Sequence, residues 1–177
     1  MDRALPLEHA LPDPALARRF DELIALHGPG VGRVAGLYAR GAAERADLAQ
    51  EIWFGVWRAL PGFRGECSER TFVFRIAHNR GISHSMARRR DHVELDEAGE
   101  LADRAPGPEA LTEQAQVRDR LMAAVRQLPP NLREPVALKL EGLADREIAE
   151  VLGITENNTA VRLTRARAEL RKLMEPA

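Results

Sequence analysis

Asp145-Arg146-Glu147-Ile148-Ala149-Glu150-Val151-Leu152-Gly153-Ile154-Thr155 is the stretch from which the rest of the sequence can be read. It spells a short amphipathic helix centred on Ala149, a turn at Gly153 and a polar cap candidate at Thr155. A longer helix is expected from Glu156 to about Met174. The layout is that of a helix-turn-helix: a small residue lets two helices approach, glycine takes the left-handed turn, and the second helix is offered to a major groove. Beyond Thr155, the second helix carries Asn157, Asn158, Arg162, Arg165 and Arg167, side chains suited to base edges and phosphates. An ordinary helical hairpin with a solvated basic face has the same pattern, so the motif needs company before it decides function.

Moving towards the N-terminus, a helix is expected over Asn131–Leu140, closed by Glu141-Gly142 and preceded by Leu128-Pro129-Pro130. Leu111, Val117, Leu121 and Val125 mark a further helix before it. Between Asp91 and Glu113 the periodicity fails, and Ala105-Pro106-Gly107-Pro108 sits among acidic residues, which reads as a solvated linker. Upstream of that linker, Asp13 can cap and Pro14 can open a helix carrying Leu16, Phe20, Leu23 and Ile24. His27-Gly28-Pro29-Gly30 should break it, with a second helix over Val31–Arg40 bearing Val34 and Leu37. Leu48, Ile52, Val56 and Leu60 then recur at strict i+4 spacing beside Trp53 and Trp57, and Pro61-Gly62 ends that helix. After the polar loop Phe63–Ser68, a long helix is expected over Glu69–Arg90, with Phe72, Val73, Ile76, Ser83 and Met86 as its apolar stripe. The fold class is therefore all-α: two small helical domains, 14–90 and 113–177, follow a tail at 1–13 and are joined by a flexible acidic linker at 91–112.

Composition agrees. In 177 residues, Ala and Leu number 50 against 21 for Ile, Val and Thr, which favours helix over sandwich, barrel or large sheet. No apolar run approaches the roughly 20 residues of a spanning helix, and Met1–Pro6 lacks the basic and apolar regions of a secretory signal. A lone Cys67 forms no internal disulfide and no CxxC pair offers zinc a site, so a soluble, cytoplasmic chain is expected. The net charge of −1 divides unevenly: residues 1–90 carry 14 basic and 10 acidic groups, 91–117 carry 1 and 8, and 118–177 carry 11 and 9. Two mildly basic blocks thus flank one acidic segment, an arrangement compatible with a polyanion partner despite a pI near 6.5.

Arg70-Thr71-Phe72-Val73-Phe74-Arg75-Ile76-Ala77-His78-Asn79-Arg80 sets basic groups among aromatics, next to a polar loop able to receive an unstacked base. Phe72 and Ile76 read equally well as core. The order of motifs adds what neither supplies alone. Asp47-Leu48-Ala49-Gln50-Glu51-Ile52-Trp53, Trp57-Arg58-Ala59-Leu60 and Phe63-Arg64-Gly65-Glu66, followed by the arginine-rich helix, closely resemble the promoter-melting domain of an extracytoplasmic function (ECF) sigma factor. Leu128-Pro129-Pro130-Asn131-Leu132-Arg133-Glu134, Glu147-Ile148-Ala149 and Arg162-Leu163-Thr164-Arg165-Ala166-Arg167 resemble that family's other domain. The match covers roughly 14–90 and 113–174.

The resemblance implies a subunit of bacterial RNA polymerase that directs promoter recognition, DNA melting and transcription initiation. It implies that Asp47, Gln50 and Glu51 dock on core polymerase. Phe63, Arg64, Cys67, Ser68, Arg70, Arg75, Asn79 and Arg80 would hold the minus-ten element as single-stranded DNA. Thr155, Asn157, Asn158, Arg162, Arg165 and Arg167 would read the minus-thirty-five element as duplex. It further implies an anti-sigma factor that holds the blocks in a compact arrangement hiding the docking and recognition helices. No metal, cofactor or catalytic residue is implied. Family members often have Trp and Tyr where Phe72 and Phe74 stand, and an apolar core residue where Thr159 stands.

Other constellations point nowhere as definite. His78, His84 and His92 near Cys67 match no structural zinc spacing. Asp47 and Glu51 as an acid–base pair lack a nucleophile or phosphate loop, which makes an enzyme the poorest class. A two-domain DNA-binding regulator without polymerase contact is the serious alternative, and an interaction protein held by an inhibitor is another. The Asp47–Glu51 helix discriminates, because a plain repressor has no need of it.

Overall fold

The computed structural model describes residues 13–93 and 113–175. Among the described residues there are seven α-helices and no strand: α1 Pro14–Ala35, α2 Ala42–Ala59, α3 Glu69–Val93, α4 Glu113–Gln127, α5 Pro130–Leu140, α6 Asp145–Leu152 and α7 Glu156–Met174. The greater part of the expected linker lies outside them.

Asp13 opens α1 as the sequence suggests, its carboxylate accepting the Ala15 N–H at 3.0 Å with Pro14 in the first turn. The expected break at His27–Gly30 does not occur. Leu23, His27, Val31 and Val34 stay in helical register on one buried face, and α1 runs through Pro29 to Ala35. An interior proline costs about 3 kcal/mol. Burying Leu23, Val31 and Val34 returns about 1.5–3 kcal/mol for each, so packing outweighs the lost backbone bond. The separate helix expected over Val31–Arg40 is thus partly α1 and partly the turn that follows, where Leu37 and Tyr38 are buried.

Leu48, Ile52 and Val56 of α2 are fully buried against α1 and α3, as their spacing predicts. Phe20 meets Trp53 and Trp57 edge-on, with ring centroids 5.9 and 5.0 Å away. A 3-10 turn at Leu60–Gly62 then leads into the loop before α3. Val73, Phe74 and Ala77 of α3 line the core, whereas Ile76 is only half-buried. Ser83 and Met86, expected on the apolar stripe, are exposed. Beyond Gly81 the neighbour of α3 is the polar start of α2: His84 Nε2 lies 2.6 Å from Glu44 Oε1, and Arg88 donates to the Tyr38 carbonyl at 3.0 Å. The helix continues to Val93, past the expected end at Arg90. Gly81 is required by close approach, because the ring of Tyr38 stands where a Cβ would be.

In the second half, Val125, Leu132, Val136, Leu143, Ile148, Val151, Leu163 and Ala166 form the core under α7. Val117, expected on the apolar face of α4, is exposed, and Leu111 lies outside the described residues. The helix-turn-helix forms as read. Gly153 adopts φ 64°, the Ile154 N–H bonds the Ala149 carbonyl at 3.0 Å, and Thr155 caps α7 by accepting the Asn158 N–H at 3.2 Å. Thr159 occupies a fully buried position; its hydroxyl donates back to the Thr155 carbonyl at 3.3 Å, so no polar group is stranded. The two halves touch, with α3 against α6 and α1 against α5.

Candidate nucleic-acid interface

Burial of Leu48, Ile52 and Val56 fixes which way α2 faces. At 100° per residue, Asp47, Gln50, Glu51, Phe54 and Arg58 share an arc of roughly 100° on the opposite side, and all five are exposed. Phe54 is 60% exposed, with the Arg58 guanidinium 5.9 Å from its ring centre. The sequence reading overlooked it, although its place seven residues after Asp47 puts it on the same face. An acidic and amide surface with one aromatic at its centre suits a basic protein partner.

The loop before α3 is organised by stacking and a cap. Phe63 is half-buried, stacked on Phe72 at 4.4 Å with the Arg19 guanidinium 5.2 Å above it, so its role is to fix the loop. Ser68 caps α3 by accepting the Thr71 N–H at 3.0 Å. Arg64, Asn79 and Arg80 are exposed. Cys67 is half-buried; burial pushes its thiol up, and Arg75, 3.8 Å from Sγ, pulls the other way.

Ser68, Arg70 and Arg75 are brought together, but against the second half of the chain. The hydroxyls of Ser68 and Thr71 donate to Glu147 Oε1 at 2.7 and 2.8 Å. Arg75 donates to Glu150 at 3.0 Å, and Arg70 donates to the Gly142 carbonyl at 2.9 Å. Arg33 of α1 grips Glu141 with two bonds of 2.6 Å. The Ala144 N–H, with the Ser68 hydroxyl after it, holds the Glu147 carboxyl below its usual range against the opposing effect of burial. These contacts join the two halves without a partner, and they are not the arrangement expected under an anti-sigma factor, which would hide the α2 and α7 faces. Among the described residues the acidic face of α2 and the outer face of α7 stay open, while Ser68, Arg70 and Arg75 make these contacts at a solvent-exposed rim.

On α7, Asn157, Val161, Thr164 and Arg165 are exposed along one side. Arg162 is half-buried and donates to Asn158 Oδ1 at 2.8 Å; it lies roughly 60° around the helix from Arg165, whereas the exposed Asn158 lies within roughly 20° of it. Arg167 falls roughly 160° around the helix from Arg165, beside Leu170, Arg171 and Met174. One groove cannot receive Arg165 and Arg167 together. Among the described residues, no group of three or more His, Cys, Asp or Glu side chains could hold a metal ion, and no helix is long and apolar enough to cross a membrane.

Two all-helical units, the first with an open acidic helix and a polar loop leading into an arginine-rich helix, the second a helix-turn-helix, define a two-part DNA-binding transcription factor. Residues 23–91 match the model of sigma-70 region 2, and residues 118–170 match that of sigma-70 region 4. The RNA polymerase sigma-H factor of Pseudomonas aeruginosa is 32% identical over 169 residues, spanning 90% of this chain and 88% of that protein. The ECF sigma factor SigE of Mycolicibacterium smegmatis is 30% identical, over 90% of this chain and 63% of its own. Among solved structures, CnrH in complex with the cytosolic domain of CnrY superposes with a TM-score of 0.64 at 25% identity, over 89% of this chain and 88% of CnrH. RpoE of Bartonella quintana, solved with the anti-sigma factor NepR, shares the fold with a TM-score of 0.75 at 20% identity, over 89% and 97% of the two chains. The chain belongs to the ECF sigma factors of the sigma-70 family. Proteins of this family are transcription-initiation factors that bind RNA polymerase and promoter DNA, and no catalytic family is indicated.

Proposed function

We propose that Asp47, Gln50 and Glu51, with Phe54 between them, form the surface that docks on core polymerase, within a domain of residues 14–90. In the same domain Arg64, Cys67, Ser68, Arg70, Arg75, Asn79 and Arg80 hold the melted minus-ten strand, with Phe63 setting the loop. Residues 113–177 read the minus-thirty-five duplex, Asn157, Asn158 and Arg165 facing the bases and Thr155, Arg162 and Arg167 the backbone. Residues 91–112 link the two domains. The chain acts in the cytoplasm, where polymerase is, under an anti-sigma factor; the solved complex of CnrH with the cytosolic domain of CnrY supports a protein partner here.

One observation carries the reading: among the described residues, the solvent-facing side of α2 keeps three acidic or amide side chains and an exposed aromatic away from any partner element. A regulator that only binds DNA has no use for such a face. The test is run-off transcription from genomic fragments by purified core polymerase, with and without the chain, and with Glu51→Arg. The wild-type chain should give promoter-specific transcripts, and Glu51→Arg should lower both output and polymerase affinity while retaining helicity. Sequence-specific duplex binding with no polymerase-dependent transcript would instead establish the plain regulator.

A further inference from the structure

The contact between the two halves at the start of α3 has its own chemistry. On the first domain the contributing groups are cationic or hydroxylic: Arg33, Ser68, Arg70, Thr71 and Arg75. On the second they are anionic or carbonyl: Glu141, the Gly142 carbonyl, Glu147 and Glu150. The oxygens on Ser68, Arg70 and Arg75 sit where these donors of the minus-ten surface would otherwise meet a phosphate oxygen. The fit is built on both sides. Glu141 is only 8% exposed at its side chain, and a Cβ on Gly30 would lie 2.5 Å from Glu141 Oε2, so glycine there leaves room for the carboxylate in its observed place against α1. On the other side Gly142 turns the chain with φ 83°, presenting its carbonyl to Arg70.

We propose that the second domain is an intramolecular plug for the single-strand site. Glu147 and Glu150 stand in for DNA phosphates on Ser68 and Arg75, and the Arg33–Glu141 pair beside them holds the isolated chain closed. The plug leaves the docking face of α2 open and occupies Ser68, Arg70 and Arg75, so the closed chain can bind polymerase and binds the minus-ten strand only weakly; docking precedes opening. This deepens the proposed function and rests on its assignment of Ser68, Arg70 and Arg75 to DNA.

Arg33 and Glu141 supply the cleanest test, because neither belongs to the assigned DNA-reading set. The full chain, the Arg33→Glu variant and the Arg33→Glu/Glu141→Arg swap are compared without polymerase. Small-angle scattering reports compactness, and fluorescence anisotropy reports affinity for a labelled pool of random single-stranded DNA. A plug that leaves about one molecule in ten open weakens apparent affinity about tenfold. Arg33→Glu should therefore expand the chain and raise pool affinity by about that factor, and the swap should restore both. Should Arg33→Glu lose helicity, the milder Glu141→Gln/Glu147→Gln/Glu150→Gln chain must give the same expansion and gain. Expansion without a gain in affinity overturns the plug, as does a chain that stays compact in both variants. Core polymerase separates the two levels of the argument. Specific transcripts from an open variant whose pool affinity is unchanged sink only the plug. The absence of any specific transcript from wild type and open variants alike sinks the sigma-factor assignment of these residues.

Discussion

Phe54→Ala separates a docking residue from a structural one. A whole phenylalanine side chain presents about 200 Å², and Phe54 keeps 60% of its surface in solvent, leaving about 120 Å² for a partner to cover. At about 25 cal/mol per Å² the ceiling is about 3 kcal/mol. Alanine retains a Cβ and docking leaves a rim wet, so about half of that is the expected loss, or roughly tenfold in Kd. Folding should hardly notice, because the ring already faces water and touches mainly Arg58; the expected change in stability is under about 0.5 kcal/mol. Two measurements on one preparation check it: fluorescence titration with core polymerase, and thermal unfolding. A Kd within about twofold of wild type would refute the docking role. A fall in stability above about 2 kcal/mol would show instead that the ring belongs to the fold.

In a promoter-library transcription assay, Arg165→Ala should relax base preference at the minus-thirty-five element, by about 1–3 kcal/mol at the position read, whereas Arg162→Ala, half-buried beside Asn158, should lower output evenly on all promoters. An even loss for Arg165→Ala would make it a phosphate contact. Gly81→Ala drives a methyl into the Tyr38 ring and disturbs the 2.8 Å bond from Tyr38 to His78, so urea unfolding should show a loss of about 1–3 kcal/mol; a loss near zero would mean the ring swings aside. Burial holds both His27 and His78 below the ordinary imidazole value, with Arg70 adding to the effect on His27, and His27 Nε2 has no hydrogen-bond partner among the described residues. The unfolded chain therefore takes up these protons first: their contribution is complete above about pH 6.5 and is lost as pH falls through the folded values, by up to about 1.4 kcal/mol per unit of displacement for each. Urea midpoints at pH 7.5, 6.5 and 5.5 should fall in that order, less steeply in His78→Gln; a flat profile would contradict the buried neutral state. Glu134, raised by burial, acts in the opposite sense nearer the carboxylate range, which is why the series stops at pH 5.5.

Local patterns carried the reading where local physics decides the structure. Gly153 and Thr155 announce the helix-turn-helix because a left-handed turn and a cap each restrict the residue type. The i+4 run from Leu48 to Leu60 places α2 because one face of it must be dry. Pro29 misled for the same reason: it is a local breaker, and only the shared burial of residues on both sides of it shows that α1 continues. Thr159 looked out of place in a core, yet its hydroxyl is satisfied within its own turn. Ser83 and Met86 fit the spacing of a stripe, but spacing does not say what lies opposite, and opposite them is solvent. The pairing of Arg33 with Glu141 joins residues far apart in the chain, and neither periodicity nor propensity carries such information. Phe54 was legible from its register and was passed over because a lone exposed aromatic is common on protein surfaces.

The seam between the two domains is made of ion pairs and hydroxyl bonds, and that choice of material sets how the molecule answers to its electrolyte. Dissolved salt weakens the grip of arginine on DNA, and it weakens the grip of arginine on glutamate too. Rising ionic strength thus frees the first domain even as it lowers the reward for using it. Binding of DNA by the isolated chain should consequently fall off with salt more gently than the number of its phosphate contacts alone would dictate.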